Sequence, residues 1–255
     1  MKHLVIAVSP DSSLELLRTF ADVIVLDKEL VPKNLARYDT LYIRSHFGQL
    51  STLPQNYRAE INNLVQRLKQ TNSNIKFIDD ADSVDKILAF EDKWLQYKTF
   101  GDVMPNTQLL DDSLNIVNFN KPIFKKRLSS RGTGITWDVA LVTQPAEDWI
   151  AQESIGIAEE LRVYIIRGNV YPVGAVRRSM TSEHKTEAVS SRELTQEEID
   201  FAVRISNQNS VMDFVGLDIA RAKDGQLHLM EVNRSPGFAA FEKLSGVNLA
   251  SILYS

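Results

Sequence analysis

The stretch that most constrains this chain runs from Val215 to Gly237, where a turn signal sits between two runs of alternating polarity. Asp224-Gly225 favours a tight hairpin turn, because glycine reaches the positive φ that such a turn demands. With those two residues as the loop, the flanking strands pair so that Asp218 lies directly opposite Glu231. Asn233 is two residues further on and therefore points to the same face. Three oxygen ligands then converge at the open end of one hairpin. Carboxylates placed opposite each other repel, so a pair of this kind calls for a positive partner between them. Two carboxylates and an amide oxygen suit a hard divalent cation that keeps water and phosphate oxygens, with magnesium the first candidate. The plainer reading of the same residues is a solvated acidic face. Arg221 pairs with His228 on this register, on the other face of the hairpin, and His228 reads as an ordinary polar residue.

Composition narrows the chemistry. The 255 residues carry a formal charge of −4, with both signs interspersed, so no field builds up that would hold a polyanion such as nucleic acid nonspecifically. The chain has no cysteine, which removes disulfides, thiolate zinc ligands and a catalytic thiol. Its four histidines, His3, His46, His184 and His228, are not at metal-ligand spacing to one another. No apolar run approaches the roughly 20 residues that span a bilayer. The first apolar run, residues 3–8, is too short for a signal-peptide core and reads as a buried strand. A cytoplasmic protein without membrane contact is the expectation.

Apolar runs at residues 4–8, 23–26, 41–43 and 75–78 alternate with amphipathic segments, which predicts a small parallel α/β unit. Ile61, Leu64, Val65 and Leu68 fall at helical spacing before the last of these strands. A single helix is predicted over residues 83–99, with Val84, Ile87, Leu88 and Leu95 on one face and Lys93 along it, ending before Pro105. From there the texture changes to hairpins, with strands at residues 121–127 and 149–155 around a flexible loop at 129–134. Gly168-Asn169 suits a tight turn between residues 161–166 and 170–176, and this register sets Glu160 opposite Arg177, with Arg162 on their face. A cross-strand ion pair on a solvated sheet is the bland account of that trio. Thr195-Gln-Glu-Glu198 is a capping box opening a helix to about residue 209. The domain boundary is placed near Asp80, giving an α/β unit at 1–80 and a larger α+β unit at 81–255.

Met230-Glu-Val-Asn-Arg-Ser-Pro-Gly237 resembles the metal-binding strand of ATP-grasp enzymes, in particular the branch of the ribosomal protein S6 glutamate ligases and related peptide-modifying ligases. The resemblance runs from about Lys93 to the C-terminus. It implies an α+β ATP-grasp fold, two lobes gripping ATP (81–155 for the nucleotide, 156–255 for the metal), preceded by a small α/β pre-ATP-grasp domain. Lys93 and Lys125 resemble the lysines that touch ATP phosphates, whereas Lys126 alternates to the other side of its strand. Ser129-Ser-Arg-Gly-Thr-Gly134 resembles the loop that closes over the phosphates, which implicates Ser130, Gly132 and Gly134; Arg131 departs from the usual glycine-rich pattern. Ala151-Gln-Glu-Ser-Ile155 resembles the adenine-recognising hinge, through Gln152, Glu153 and Ile155. Glu160 would face the ribose. Arg162, with Arg177 or Arg178, would face the transferred phosphate and the acyl-phosphate, and Asp218, Glu231 and Asn233 would hold the metal.

The resemblance implies an ATP-dependent carboxylate-amine ligase that uses magnesium, with manganese as a substitute, and needs no covalent enzyme nucleophile. Its partners would be a carboxylate and an amine, on a peptide, a protein or a free amino acid, and a homo-oligomer is the family expectation. The S6-ligase branch carries a basic, Asn/Gly-rich segment after the paired arginines. Residues 179–190 are short, lack glycine and have only His184 and Lys185 as basic residues, so the branch's substrate does not carry over. A kinase-type phosphoryl transferase and a non-catalytic nucleotide-binding module are the alternative readings.

Overall fold

In the computed structural model, which describes residues 1–26, 31–44, 55–116, 119, 121–129, 133–179, 186–208 and 212–255, the first strand is β1 (His3–Ala7), buried along its whole length. A run buried on both faces belongs inside a parallel sheet covered by helices. Strands β2 (Asp22–Val25), β3 (Thr40–Arg44) and β4 (Lys76–Phe77) join it in the order β2-β1-β3-β4, all parallel. Helix α1 (Ser12–Leu17) packs Leu14 and Leu17 on one face of this sheet. Helix α2 (Gln55–Thr71) packs the expected Ile61, Leu64, Val65 and Leu68 on the other.

The helix expected over residues 83–99 is two helices, α3 (Val84–Glu91) and α4 (Lys93–Phe100), broken at Asp92. Asp92 is extended, and its carboxylate accepts from the backbone N–H groups of Trp94 and Leu95. Capping a new helix competes with continuing the old one, and an aspartate favours the cap. Leu95, expected on the apolar face, is 36% exposed as a result.

A second sheet follows, antiparallel, in the order β5-β8-β6-β7: β5 (Thr107–Leu109), β6 (Pro122–Lys126), β7 (Ile135–Thr136) and β8 (Trp149–Glu153). The third sheet, also antiparallel, has the order β12-β11-β9-β13-β14. It comprises β9 (Ile157–Ile166), β10 (Asn169–Val170), β11 (Val173–Ser179), β12 (Thr186–Glu193), β13 (Phe214–Ala222) and β14 (Leu227–Asn233), with β10 paired to β9 alone. Helix α5 (Gln196–Gln208) begins at the capping box, where Thr195 Oγ1 accepts from the Glu198 N–H and Glu198 accepts from the Thr195 N–H. Helices α6 (Ala239–Ser245) and α7 (Leu249–Tyr254) bury Phe241, Leu249 and Leu253 with Val5 and Leu14, tying the C-terminus to the first sheet. The chain thus has the expected α+β architecture. Among the described residues no helix is long and apolar enough to cross a membrane.

Both turn assignments shift by a residue, while both far registers hold. The β9–β10 turn is Arg167-Gly168, with φ of 53° and 77°, not Gly168-Asn169. Extra residues around Pro172 then restore Glu160 opposite Arg177. At the second hairpin, Ala222 and Gln226 close a three-residue loop that includes Asp224 and Gly225. That loop alone would set Asp218 opposite Met230. Met230 instead bulges out of the ladder between the Asp218–Glu231 and Ile219–Leu229 pairs, which returns Glu231 to its place across from Asp218. The three-residue loop, on the turn side of the bulge, sets His228 opposite Ala220, on the face of Asp218, in place of the expected pairing with Arg221.

Candidate active site

Strands β9, β11, β13 and β14 lie side by side, so their ends deliver Arg162, Arg177, Asp218 and Glu231 to one place. Asp218 is paired in the ladder with Glu231 on one side and Arg162 on the other. Its carboxylate, 5% exposed, accepts from Arg162 Nε at 2.7 Å and Nη2 at 2.8 Å. Arg177 Nη1 lies 2.7 Å from the second oxygen and 3.0 Å from Glu160 Oε1. Asn233 Nδ2 donates to Asp218 at 3.2 Å. Burial pushes the Asp218 carboxyl up, but the Arg162 and Arg177 guanidiniums outweigh it and hold it down at about 2. Burial and the neighbouring Asp218 charge raise Glu160 against the pull of Arg177.

Gly216 makes this arrangement possible. It pairs with Asn233, and a Cβ there would meet Pro236 Cβ at 2.9 Å and Arg162 Cδ at 3.3 Å. The side chain of Arg162 crosses the glycine to reach Asp218. An Asp two residues after a Gly on a buried strand is the sequence signal for it, legible only once Arg162 is known to lie alongside.

The two lysines arrive from different elements. Lys93, the first residue of α4, is 9% exposed; its Nζ donates to the Ser129 carbonyl at 2.7 Å and lies 3.1 Å from Glu231 Oε1. Asp92 sets its position. While capping α4, Asp92 also takes both nitrogens of Arg127 at the end of β6, and the Lys93 N–H donates to the Arg127 carbonyl. Lys125 on β6 donates to Gln152 Oε1 at 2.6 Å. Its ammonium is pushed down to about 8, chiefly by burial, and Glu231 pulls the other way. Lys126 projects to the opposite side and lies over the Trp149 ring, as strand alternation expects.

Of the hinge residues, Gln152 is buried and fully used: it accepts from Lys125 and donates to Thr107 Oγ1. Glu153 accepts from Asn106, and Ile155 is half-buried in the link between β8 and β9. Gly134 sits at the base of the loop with φ of 66°, its carbonyl accepting from the Lys126 N–H. A side chain there would collide with Lys126 Cβ at 2.9 Å. Ser130, Gly132 and Arg131 lie outside the described residues, and so does the side chain of Arg178.

Two features had no place in the sequence reading. Gln96, one helical turn after Lys93, is 3% exposed and pairs with the backbone of Val232 in both directions, accepting from its N–H and donating to its carbonyl, each at 2.9 Å. Strand β14 is the edge of its sheet, and Gln96 stands in for the missing neighbour between Glu231 and Asn233. The second feature is a buried arginine pair. Arg44 at the end of β3 binds Asp11 and the Pro236 carbonyl, Tyr42 donates to the Arg234 carbonyl, and Arg234 Nη2 donates to the Ile43 carbonyl. The loop after Asn233 is therefore built on the first sheet.

The donor set of Asp218, Glu231 and Asn233 is all hard oxygen, which fits magnesium and not a thiolate- or imidazole-seeking metal. Among the described residues no cluster of three His, Cys, Asp or Glu is placed to hold a metal ion. Three carboxylates, Glu160, Asp218 and Glu231, face four cationic groups, Arg162, Arg177, Lys93 and Lys125, across this cleft.

A family model described as a RimK-like ATP-grasp domain matches residues 110–255, more than half of the chain. A probable alpha-L-glutamate ligase of Alkalilimnicola ehrlichii is 26% identical over 86% of this chain and 71% of its own length. A ribosomal protein bS6–L-glutamate ligase of Escherichia coli is 38% identical over a shorter segment, 27% of this chain and 22% of that protein. Among solved structures, the ATP-grasp ligase PsnB complexed with a minimal precursor superposes with a TM-score of 0.69 at 16% identity, covering 100% of this chain and 97% of that one.

Proposed function

The chain belongs to the RimK-like ATP-grasp family, and on that premise we propose that it is an ATP- and magnesium-dependent carboxylate-amine ligase that works through an acyl-phosphate. The observation that carries this reading is the sharing of buried Asp218 by Arg162, Arg177 and Asn233, with Glu231 opposite and held by Lys93. Its substrates are a carboxylate and an amine on an amino acid, peptide or protein, and its proposed location is the cytoplasm. The division at residue 80, with lobes at 81–155 and 156–255, is part of the same proposal.

A carboxylate resists attack by an amine because its leaving group would be oxide. In the proposed reaction a carboxylate oxygen attacks the γ-phosphorus and ADP leaves; the amine then attacks the acyl carbon, phosphate leaves, and the amine gives up a proton. The protein neutralises charge and aligns atoms. Asp218, Glu231 and Asn233 would hold magnesium, or manganese in its stead, whose charge offsets that of the phosphate oxygens. Lys93 and Lys125 bind the phosphates from the small-lobe side. Arg162 and Arg177 flank the transferred group and the carboxylate, each worth a few kcal/mol in a site closed to water. Gln152, Glu153 and Ile155 border the adenine, with Gln152 also holding Lys125, and Glu160 faces the ribose. Gly134 anchors the phosphate loop.

The test is ADP release with magnesium across a panel of carboxylates, with and without amines. Product that requires both substrates supports ligation; ADP with carboxylate alone points to phosphoryl transfer. Glu231→Gln abolishes metal-dependent turnover and leaves the thermal unfolding transition near its original temperature. Full activity in that variant removes Glu231 from the site.

A further inference from the structure

Three side chains on one face of the second sheet form a single hydrogen-bonded line. Thr107 on β5 pairs directly with Gln152 on β8. Gln152 pairs in turn with Ile123 on β6, two residues before Lys125, so strand alternation brings Lys125 to the same face. Lys125 Nζ donates to Gln152 Oε1 at 2.6 Å, Gln152 Nε2 donates to Thr107 Oγ1 at 3.0 Å, and Thr107 Oγ1 donates to the Pro105 carbonyl at 2.9 Å. Thr107 and Gln152 are both buried.

The line can run in one direction only. An ammonium has hydrogens to give and no lone pair, whereas a carbonyl has lone pairs and no hydrogen. The Gln152 amide therefore turns its oxygen to Lys125 and its nitrogen to Thr107, which must accept. A hydroxyl accepts on one side while it donates on the other, and Thr107 does both. An apolar side chain of the same shape leaves nothing to fix which end of the amide faces the lysine. Turned over, that amide presents N–H groups to an ammonium.

The orientation bears on the cleft through Lys125. Glu231, Glu160 and Asp218 attract its charge and Lys93 repels it. Gln152 is its hydrogen-bond partner among the described residues, which leaves two of the three ammonium hydrogens to give elsewhere. A lysine stem is flexible, so an ammonium without this hold would settle on a carboxylate of the cleft and not wait for an anion.

We infer that Thr107 is a positioning residue for nucleotide: its hydroxyl sets the Gln152 amide, and the amide holds the Lys125 ammonium toward the phosphates. The inference rests on the ligase reading and deepens it, since it gives the Gln152 side chain a task distinct from bordering the adenine. Thr107 acts through these two residues and not by touching ATP.

Calorimetric titration of the full-length protein with ADP and magnesium tests this apart from turnover. Thr107→Val keeps the branched shape without the hydroxyl and raises the Kd about tenfold, whereas Thr107→Ser keeps the hydroxyl and binds within about twofold of wild type. Thr107→Ala also lacks the hydroxyl, matches valine, and decides the matter where the valine variant fails to fold. Lys125→Met checks the route: adding Thr107→Val to it changes the Kd by less than about twofold, because groups in one line do not act additively. A hydroxyl-free variant that binds like wild type, a serine variant as weak as valine, or a valine effect undiminished in the Lys125→Met background overturns the inference and leaves the ligase reading standing. Wild-type protein that binds no nucleotide overturns both.

Discussion

Replacing Gln96 by leucine separates positioning from chemistry, because the Gln96 amide is engaged with the backbone of Val232 and Phe90. The glutamine amide makes three hydrogen bonds: it accepts from the Val232 N–H, donates to the Val232 carbonyl and donates to the Phe90 carbonyl at 3.2 Å. Leucine has nearly the same volume and keeps the packing, but leaves the two polar groups of Val232 buried beside an apolar side chain. An unsatisfied buried backbone group costs about 1–3 kcal/mol, so two cost about 2–6. Burying the leucine returns about 1.5–3 kcal/mol, for a net loss of about 2 kcal/mol at the middle of these ranges. At about 2–4 °C per kcal/mol for a chain of this size, Tm falls by about 4–8 °C. Val232 sits between Glu231 and Asn233, so the same change loosens both proposed ligands and raises the magnesium concentration needed for half-maximal ADP release. Gln96→Glu keeps the acceptor but loses both donors and falls between wild type and leucine. A leucine variant with unchanged Tm refutes the hydrogen-bond account. A lower Tm with an unchanged magnesium requirement refutes the link to the ligands.

Lys125 sets a pH limit. Burial holds its pKa at about 8, so the ammonium is lost as pH rises through that value, and kcat/KM for ATP falls above it; Lys125→Arg, charged throughout, keeps its ATP capture to higher pH. The same lowered pKa means that the unfolded chain binds the extra proton between about pH 8 and 10.5, so this group's contribution makes folding more favourable as pH climbs across that window, measurable by denaturant titration. Gly216→Ala forces its Cβ against Pro236 and Arg162, costs about 1–3 kcal/mol in stability and lowers kcat, because Arg162 is pushed off Asp218; kinetics and Tm unchanged from wild type would show that the contact relaxes freely. Magnesium and ADP bind more tightly together than apart by calorimetry, and equal affinities in the two orders of addition would contradict a shared site.

The sequence carried the chemistry of the site further than its supports. Asp218 facing Glu231 follows from a turn dipeptide and strand alternation, although the loop is three residues and the register is recovered only by the bulge at Met230. Glu160 facing Arg177 likewise survives a misplaced turn, because irregularity around Pro172 makes up the difference. A sequence pattern does not say where a ladder absorbs an extra residue. The break at Asp92 was hidden because residues on both sides favour helix, and the aspartate's local cap is backed by a tertiary bond to Arg127 that the sequence does not display. Gln96 and Gly216 were illegible for a related reason: each matters through a partner far away in the chain. Arg44 and Arg234 are the extreme case, two arginines that hydropathy assigns to the surface and that are each 1% exposed, their charges and backbone partners supplied across the interface between the first sheet and the loop after β14.

The ion pairs around Asp218 explain how such a cleft stays folded and yet receives nucleotide. Glu160, Asp218 and Glu231 are matched by Arg162, Arg177, Lys93 and Lys125, so each carboxylate has a cationic neighbour and one positive charge is left over. That surplus favours a polyphosphate over water. An isolated buried charge would be prohibitive, and stripping Asp218, the buried carboxylate of the three, of a guanidinium partner costs about 3–5 kcal/mol. In the proposed reaction a phosphate oxygen reaching Arg162 or Arg177 would replace one anionic partner with another, and the Asp218 oxygen so released would be available to a divalent cation. The number of satisfied charges is kept through the exchange, so the barrier is that of swapping partners and not of exposing a bare ion. Mutating either arginine to a neutral residue removes this exchange at its source: Asp218 is left buried with a weaker partner set, and stability and nucleotide binding decline together.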